Sequence, residues 1–324
     1  SNLVNMLFFN TAKFALESQK TIEKDAGGVN LVRVIDIYRL YVKDTEALER
    51  GDTLFFNFVV AHLKAGSTSA DKAKRADMTE ALMTFLENKR LDENYIICGD
   101  FNIQSSNEQC YKNMTQTPSE SIRFYDPIEA PGVWNNKSLY ANLHTQSTRS
   151  SSTSGGCFSG GGLDDRFDFI LVGKELLDNK NNARYIDDSY VVMGQDSRRF
   201  NGTILNPTNK SLPTSLSQAL YSMSDHLPVV LNIEIGPVFA SIHDSDYLPY
   251  SFSTSQENIK IWGKNIDKPA VTIYSINGKE LKSKSSIHNE IEINISDLAH
   301  GIYILELKNG NGIRATRRFI VSEK

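Results

Sequence analysis

Three cysteines in 324 residues are too few, and odd in number, to staple a fold, which excludes a disulfide framework. Cys98 sits in the apolar run Tyr95-Ile96-Ile97-Cys98 and reads as a small buried hydrophobe. Cys110 and Cys157 fall in polar, loop-like sequence and would pair only in an oxidising compartment. No stretch approaches the ~20 apolar residues of a membrane span, and no basic segment leads into an apolar core as in a signal peptide. Bulk positive charge is missing as well. The formal net charge is −4 and the pI about 5.9, which disfavours a protein that coats nucleic acid. An enzyme that needs only a local cationic groove remains open.

The chain does have ample material for a core, with 40% hydrophobic and 23% charged residues. Its length suits one large domain plus a small one. It opens almost at once into Val4-Asn5-Met6-Leu7-Phe8-Phe9, which reads as a buried strand. A strand too apolar for a free sheet edge implies that Met6 and Phe8 are exposed here, with a further strand–helix–strand unit and a signal peptide expected upstream. Other β-branched or aromatic runs predict strands at 6–9, 31–42, 53–61, 95–98, 167–172 and 229–235. Met78, Ala81, Leu82, Phe85 and Leu86 recur at helical spacing and predict a helix over 70–89, capped by Thr68 or Ser69. Strand, helix and strand in succession indicate a layered α/β domain. The Ser-, Thr- and Gly-dominated stretch 146–162 is either a mobile loop or part of a site.

Past Ile235 the texture changes. A connector over 237–253 separates a domain at 1–236 from a region at 254–324 that reads as strands only, at 259–262, 270–275, 291–295, 301–307 and 314–321. The turn signals Asn277-Gly278 and Asn309-Gly310 divide them, as expected of a small all-β sandwich.

Four segments end an apolar strand on a polar cluster: Val59-Val60-Ala61-His62, Ile97-Cys98-Gly99-Asp100-Phe101-Asn102, Asp165-Arg166-Phe167-Asp168-Phe169-Ile170 and Ser224-Asp225-His226-Leu227-Pro228. Taken singly, such a histidine or aspartate is as readily a turn former, cap or structural group. Together, two histidines, three aspartates and an asparagine at strand ends supply what phosphate-ester hydrolysis requires: an activated water, charge stabilisation and help for the leaving oxygen.

In order and spacing these four segments resemble the signature of the endonuclease/exonuclease/phosphatase (DNase I-like) superfamily. The resemblance covers roughly 4–235 and implies a four-layer α/β/β/α sandwich with its site at one end. It further implies a secreted Mg²⁺-dependent phosphoesterase, most simply an endonuclease or phosphodiesterase. A phosphomonoesterase, a lipid phosphodiesterase or a catalytically impaired surface binding protein are the alternatives. By that resemblance His62, Asp100, Asn102, Asp168 and His226 are catalytic, with Asp168 buttressing His226. Asp225 holds the cation, and Arg166, beside Asp168, contacts the substrate, a nucleic acid or another phosphate ester. The superfamily's first-strand asparagine and its metal-binding glutamate would lie upstream of residue 6.

The tail is similar to the C-terminal sorting domain of the type IX secretion system of Bacteroidota. The likeness rests on Val271-Thr272-Ile273-Tyr274-Ser275-Ile276-Asn277-Gly278-Lys279, on Asp297-Leu298-Ala299-His300-Gly301-Ile302-Tyr303 and on the closing Arg317-Arg318-Phe319-Ile320-Val321. It implies export through that machinery, with the tail cleaved or used for surface attachment; the chain is expected to be a monomer.

Overall fold

In the computed structural model, residues 5–49, 53–88, 93–156, 158–236, 251–254, 257–262, 268–288, 290–308 and 314–321 are described. The question of a Cys110–Cys157 pair, nearly all of the expected connector and the Asn309-Gly310 turn lie outside them. The chain divides into two compact units, Ser1–Val238 and Phe239–Lys324.

The first unit is built on a mixed six-stranded sheet. Its strands are β1 (Phe14–Lys24), β2 (Asn30–Val42), β3 (Phe55–Ala61), β4 (Asn94–Asp100), β5 (Phe124–Tyr125) and β6 (Asp168–Gly173), in the order β1-β2-β3-β4-β6-β5. Only β3 and β4 run parallel, joined by a helical crossover. Its helices are α1 (Thr45–Glu49), α2 (Ser69–Glu87), α3 (Gln109–Thr115), α4 (Lys174–Leu177) and α5 (Thr214–Met223). Two short ribbons complete it, pairing β7 (Ala183–Tyr185) with β10 (Ile233–Ile235) and β8 (Val191–Val192) with β9 (Val229–Val230).

Side-chain alternation along the central strands feeds two cores. Val59, Ala61, Ile97 and Leu171 pack with Met78, Leu82 and Leu86 of α2 and Met114 of α3. The opposite face sends Phe56, Ile96 and Val172 against Leu176 of α4 and Ala183 and Tyr185 of β7. A sheet covered on both faces explains why its central strands read as nearly continuous apolar runs. Helix α2 starts where the sequence places it: Thr68 Oγ1 accepts the Asp71 N–H at 3.2 Å and the Thr68 N–H donates back to the Asp71 carboxylate at 3.3 Å.

Residues 6–9 are not a strand, correcting that expectation. Met6 and Phe8 stand 59% and 87% exposed. The edge of the sheet is instead β1, whose charged and polar side chains suit an edge that must not recruit another chain.

The second unit has two small sheets. One comprises β11 (Ser251–Thr254), β12 (Asn258–Trp262) and β15 (Glu290–Asn294); the other comprises β13 (Ala270–Ser275), β14 (Glu280–Ser285), β16 (Gly301–Lys308) and β17 (Arg314–Val321). A single apolar core draws Ile259, Ile261, Ile291 and Ile293 from the first sheet and Val271, Ile273, Leu305 and Phe319 from the second.

Candidate functional site

Strands β4 and β6 are antiparallel, and their register sets Asp100 directly opposite Asp168. Each aspartate then meets one histidine. His62, one residue past β3, brings Nε2 to 3.1 Å from Asp100 Oδ2. His226 brings Nδ1 to 2.7 Å from Asp168 Oδ2, the bond expected from the sequence. Two histidine–aspartate pairs thus lie side by side on one sheet rim, although 164 positions separate His62 from His226 in the chain.

Local backbone chemistry explains why the rim holds this shape. Gly99 has φ +138°, and a Cβ there would lie 2.0 Å from the Ala61 carbonyl oxygen. Only glycine lets β4 pass so close to the end of β3 and deliver Asp100 beside His62. Asn102 adopts φ 52°, a left-handed conformation that asparagine tolerates better than most residues. Its own N–H donates to Asp100 Oδ1 at 2.9 Å, and its side-chain amide donates to the Leu63 carbonyl at 3.2 Å. Asn102 therefore ties the His62 loop to the Asp100 loop. Below them, Phe101 stacks on Phe169 at 5.2 Å and forms an apolar floor.

A buried ion pair reinforces this tie. Arg75 of α2, fully buried, binds Glu108 at 2.6 Å and donates to the carbonyls of Lys64 and Gly66 at 2.8 and 2.7 Å. Glu108 in turn accepts the Gln104 N–H at 3.0 Å. Both loops are thereby fixed to the helix layer.

Across the rim, Thr145 Oγ1 accepts the N–H groups of Phe167 and Asp168 at 3.1 and 3.2 Å and fixes the start of β6. Burial works against charge on His226. The hydrogen bond and charge of Asp168, with the charges of Asp100 and Asp225, outweigh it and raise the imidazole to about 9. Burial also lifts the Asp165 carboxyl to about 6, although the Asn135 amide donates to it at 2.8 Å.

The Ser- and Gly-rich stretch belongs to the site at both ends. Thr148 donates its N–H to the Asp225 carbonyl at 3.0 Å, and the Ser159 N–H donates to Asp225 Oδ2 at 2.8 Å. Arg149, 4% exposed, lies between the rings of Phe158 and Tyr221 at 4.3 and 4.2 Å. Gln146 reaches furthest in: its amide nitrogen is 2.7 Å from His226 Nε2 and 3.4 Å from Asp225 Oδ2.

His62, Asp100, Asn102, Asp168, Asp225 and His226 therefore come together. Arg166 does not join them, which corrects its assignment to the substrate. It is 1% exposed, binds Asp126 through two bonds of 2.8 and 2.9 Å, and stacks over Phe169 at 4.3 Å. Because β6 begins only at Asp168, the alternation that would set Arg166 and Asp168 on one side does not extend back to Arg166. His144, next to Thr145, is also buried, between the carbonyls of Trp134 and Leu163.

Among the described residues no group of three or more His, Cys, Asp or Glu side chains is arranged to hold a metal ion. Asp225 Oδ2 already accepts two donors, so these residues alone do not make the octahedral oxygen set that Mg²⁺ demands. No described helix is long and apolar enough to cross a membrane.

No curated protein matches the chain. Among solved structures, it is similar to the human Nocturnin catalytic domain with bound sulfate anion, at 17% identity and a TM-score of 0.40, covering 70% of this chain and 62% of that one. It is also similar to an endonuclease/exonuclease/phosphatase from Beutenbergia cavernae, at 13% identity and a TM-score of 0.31, covering 95% of this chain and 73% of that one. A third likeness is to D. rerio TDP2 complexed with single-strand DNA product, at 13% identity and a TM-score of 0.38, covering 69% of each chain. The chain thus spans less than two thirds of the Nocturnin structure it resembles. The family described as secretion system C-terminal sorting domain matches residues 253–322. Those residues are a sorting domain of the type IX kind, and the chain that carries it is one destined for secretion or attachment at the cell surface.

Proposed function

We propose that this chain is a secreted phosphoric ester hydrolase of the endonuclease/exonuclease/phosphatase kind, most simply a phosphodiesterase or endonuclease. In this reading residues 1–236 form a four-layer α/β/β/α sandwich, and the sorting domain, a small β-sandwich, begins at Ser251 and not at the expected 254, because β11 pairs with β12. One observation carries the catalytic reading: the paired dyads His62–Asp100 and Asp168–His226, set opposite each other by the β4–β6 register. Turn formers or caps have no reason to converge in this way from four distant segments.

The chemistry follows from the donors at the rim. A water held by Asp100 forms the new bond to phosphorus, and its proton passes to a carboxylate or imidazole of the rim. As the bond to the leaving oxygen breaks, that oxygen takes the electron pair and a proton from a rim imidazole, while the non-bridging phosphoryl oxygens carry negative charge that must be met. His62 and His226 face that charge, and the Asn102 amide can turn from the Leu63 carbonyl to donate to it. Asp168 keeps the His226 ring oriented throughout. Mg²⁺ is the cation that the superfamily resemblance implies, with Asp225 as one ligand. The described residues do not complete its site, so no step here passes through it.

Lys64 binds Asp71 at 2.8 Å, and Arg149, Arg166 and Arg199 are buried, so these cations do not form a basic groove for nucleic acid. The test is hydrolysis of plasmid DNA, a phosphomonoester and sphingomyelin by the whole secreted protein that carries this chain, beside its His226→Ala variant. Turnover of at least one ester that collapses in the variant supports the reading. A variant as active as the parent would sink it.

A further inference from the structure

The two ring nitrogens of His226 are both engaged. Nδ1 is bound to Asp168, so Nε2 is the nitrogen left to meet a phosphoryl group, and the amide of Gln146 sits on it at 2.7 Å. The backbone of Gln146 is fixed. Its carbonyl accepts the N–H groups of Asp164 and Asp165 at 2.9 and 3.1 Å, and it bridges to both His226 and Asp165. Only the side chain can yield. A ligand oxygen that takes the hydrogen bond of Nε2 displaces the amide, yet the fixed backbone keeps that amide within reach of the same oxygen.

Resting on the hydrolase reading above, we propose that Gln146 is a substrate-contacting and specificity-determining residue of this site. With no ligand bound, the amide N–H of Gln146 donates to the lone pair of Nε2; when Nε2 instead donates to a phosphoryl oxygen, that amide must turn off it. When a substrate binds, it donates a neutral hydrogen bond to a non-bridging oxygen. An amide carries two N–H donors and one acceptor and no charge. It therefore serves a singly charged phosphodiester well and offers little to balance the second charge of a phosphomonoester. The neighbouring carboxylates Asp100, Asp168 and Asp225 add to that discrimination, because they repel a dianion more than a monoanion. The site selects diesters.

The experiment compares bis(p-nitrophenyl) phosphate, a diester monoanion, with p-nitrophenyl phosphate, a monoester dianion, on the whole secreted protein in Mg²⁺ buffer. The parent is expected to favour the diester in kcat/KM. Gln146→Met keeps the side-chain volume and removes the amide, and thermal melting checks that it stays folded. It should lose about tenfold in kcat/KM on the diester, chiefly through KM, since the contact is made in ground and transition states alike. Gln146→Lys should shift the preference towards the monoester. Diester kinetics of Gln146→Met within twofold of the parent, or an unchanged preference in Gln146→Lys, would overturn the proposal. His226→Ala separates the two levels. If it keeps the parent's rate, the hydrolase reading and this inference fall together; if it is inactive while Gln146→Met is unaffected, only this inference falls.

Discussion

Among the described residues, every buried polar or charged side chain, from Asp36 to Ser217, belongs to the unit Ser1–Val238. The core of the unit Phe239–Lys324 is made of Ile, Val, Leu, Tyr and Phe alone. An unsatisfied buried polar group costs about 1–3 kcal/mol, so a fold admits them only where partners are arranged. In the first unit some of these partners are the rim loops: Arg75 holds Lys64, Gly66 and Glu108, and Asn102 holds Leu63 and Asp100. Part of the first unit's polar burial thus serves to hold the rim loops in place. The tail needs only a stable surface for the export machinery to read, and an apolar core is enough for that.

This contrast can be broken at several points. The largest effect should come from deleting 253–324, which is expected to abolish export from a Bacteroidota host while hydrolysis persists. Normal export of the shortened chain would mean that the tail does something else. Next, His226→Ala or Asp168→Asn should lower turnover by roughly 10²–10⁴-fold, the usual contribution of a proton-transfer group. Calorimetry should show the tail's own transition unmoved by either change. Asp126→Ala leaves the Arg166 charge buried and unpaired and should destabilise the first unit by about 3–5 kcal/mol. A loss below about 1 kcal/mol in denaturant titration would show that the pair is not needed.

A smaller effect concerns pH. Because burial raises Asp165 to about 6 in the folded chain, the neutral form is favoured there. Its contribution to stability is fully present below the unfolded value near 3.9 and is lost as pH rises through about 6. Asp165→Asn keeps an acceptor for Asn135 and should stabilise the first unit by about 1–2 kcal/mol at pH 7.5, with little change at pH 4. Equal gains at both values would point to a cause other than ionisation. Smallest of all, Thr68→Ala should cost about 1 kcal/mol by opening the cap of α2, visible as a slightly earlier melt.

Most of the strands and the long helix were legible because their apolar residues repeat with the period of the element that buries them. Strand β1 was not, since an edge strand rich in Glu, Lys and Gln has no such repeat. Residues 6–9 misled in part: their apolar run read as a strand and is none, while the exposure expected of Met6 and Phe8 is there. The six rim residues were legible through motifs at strand ends. Gln146 was not singled out, being one polar residue at the edge of the stretch 146–162 that read as either a mobile loop or part of a site. Arg166 was misread because its partner, Asp126, is 40 positions away, and nothing in the local sequence announces the pairing.

The β4–β6 register has a consequence in time as well as in space. Asp100 and Asp168 are 68 positions apart, and that loop must close before the rim can pair, which is slower than forming a local hairpin. In the tail, β13 pairs with β14 across a short turn, and such hairpins close within microseconds. Pairing of the rim therefore lags any such local hairpin, and the side chains it joins stay apart until the sheet that carries them has closed.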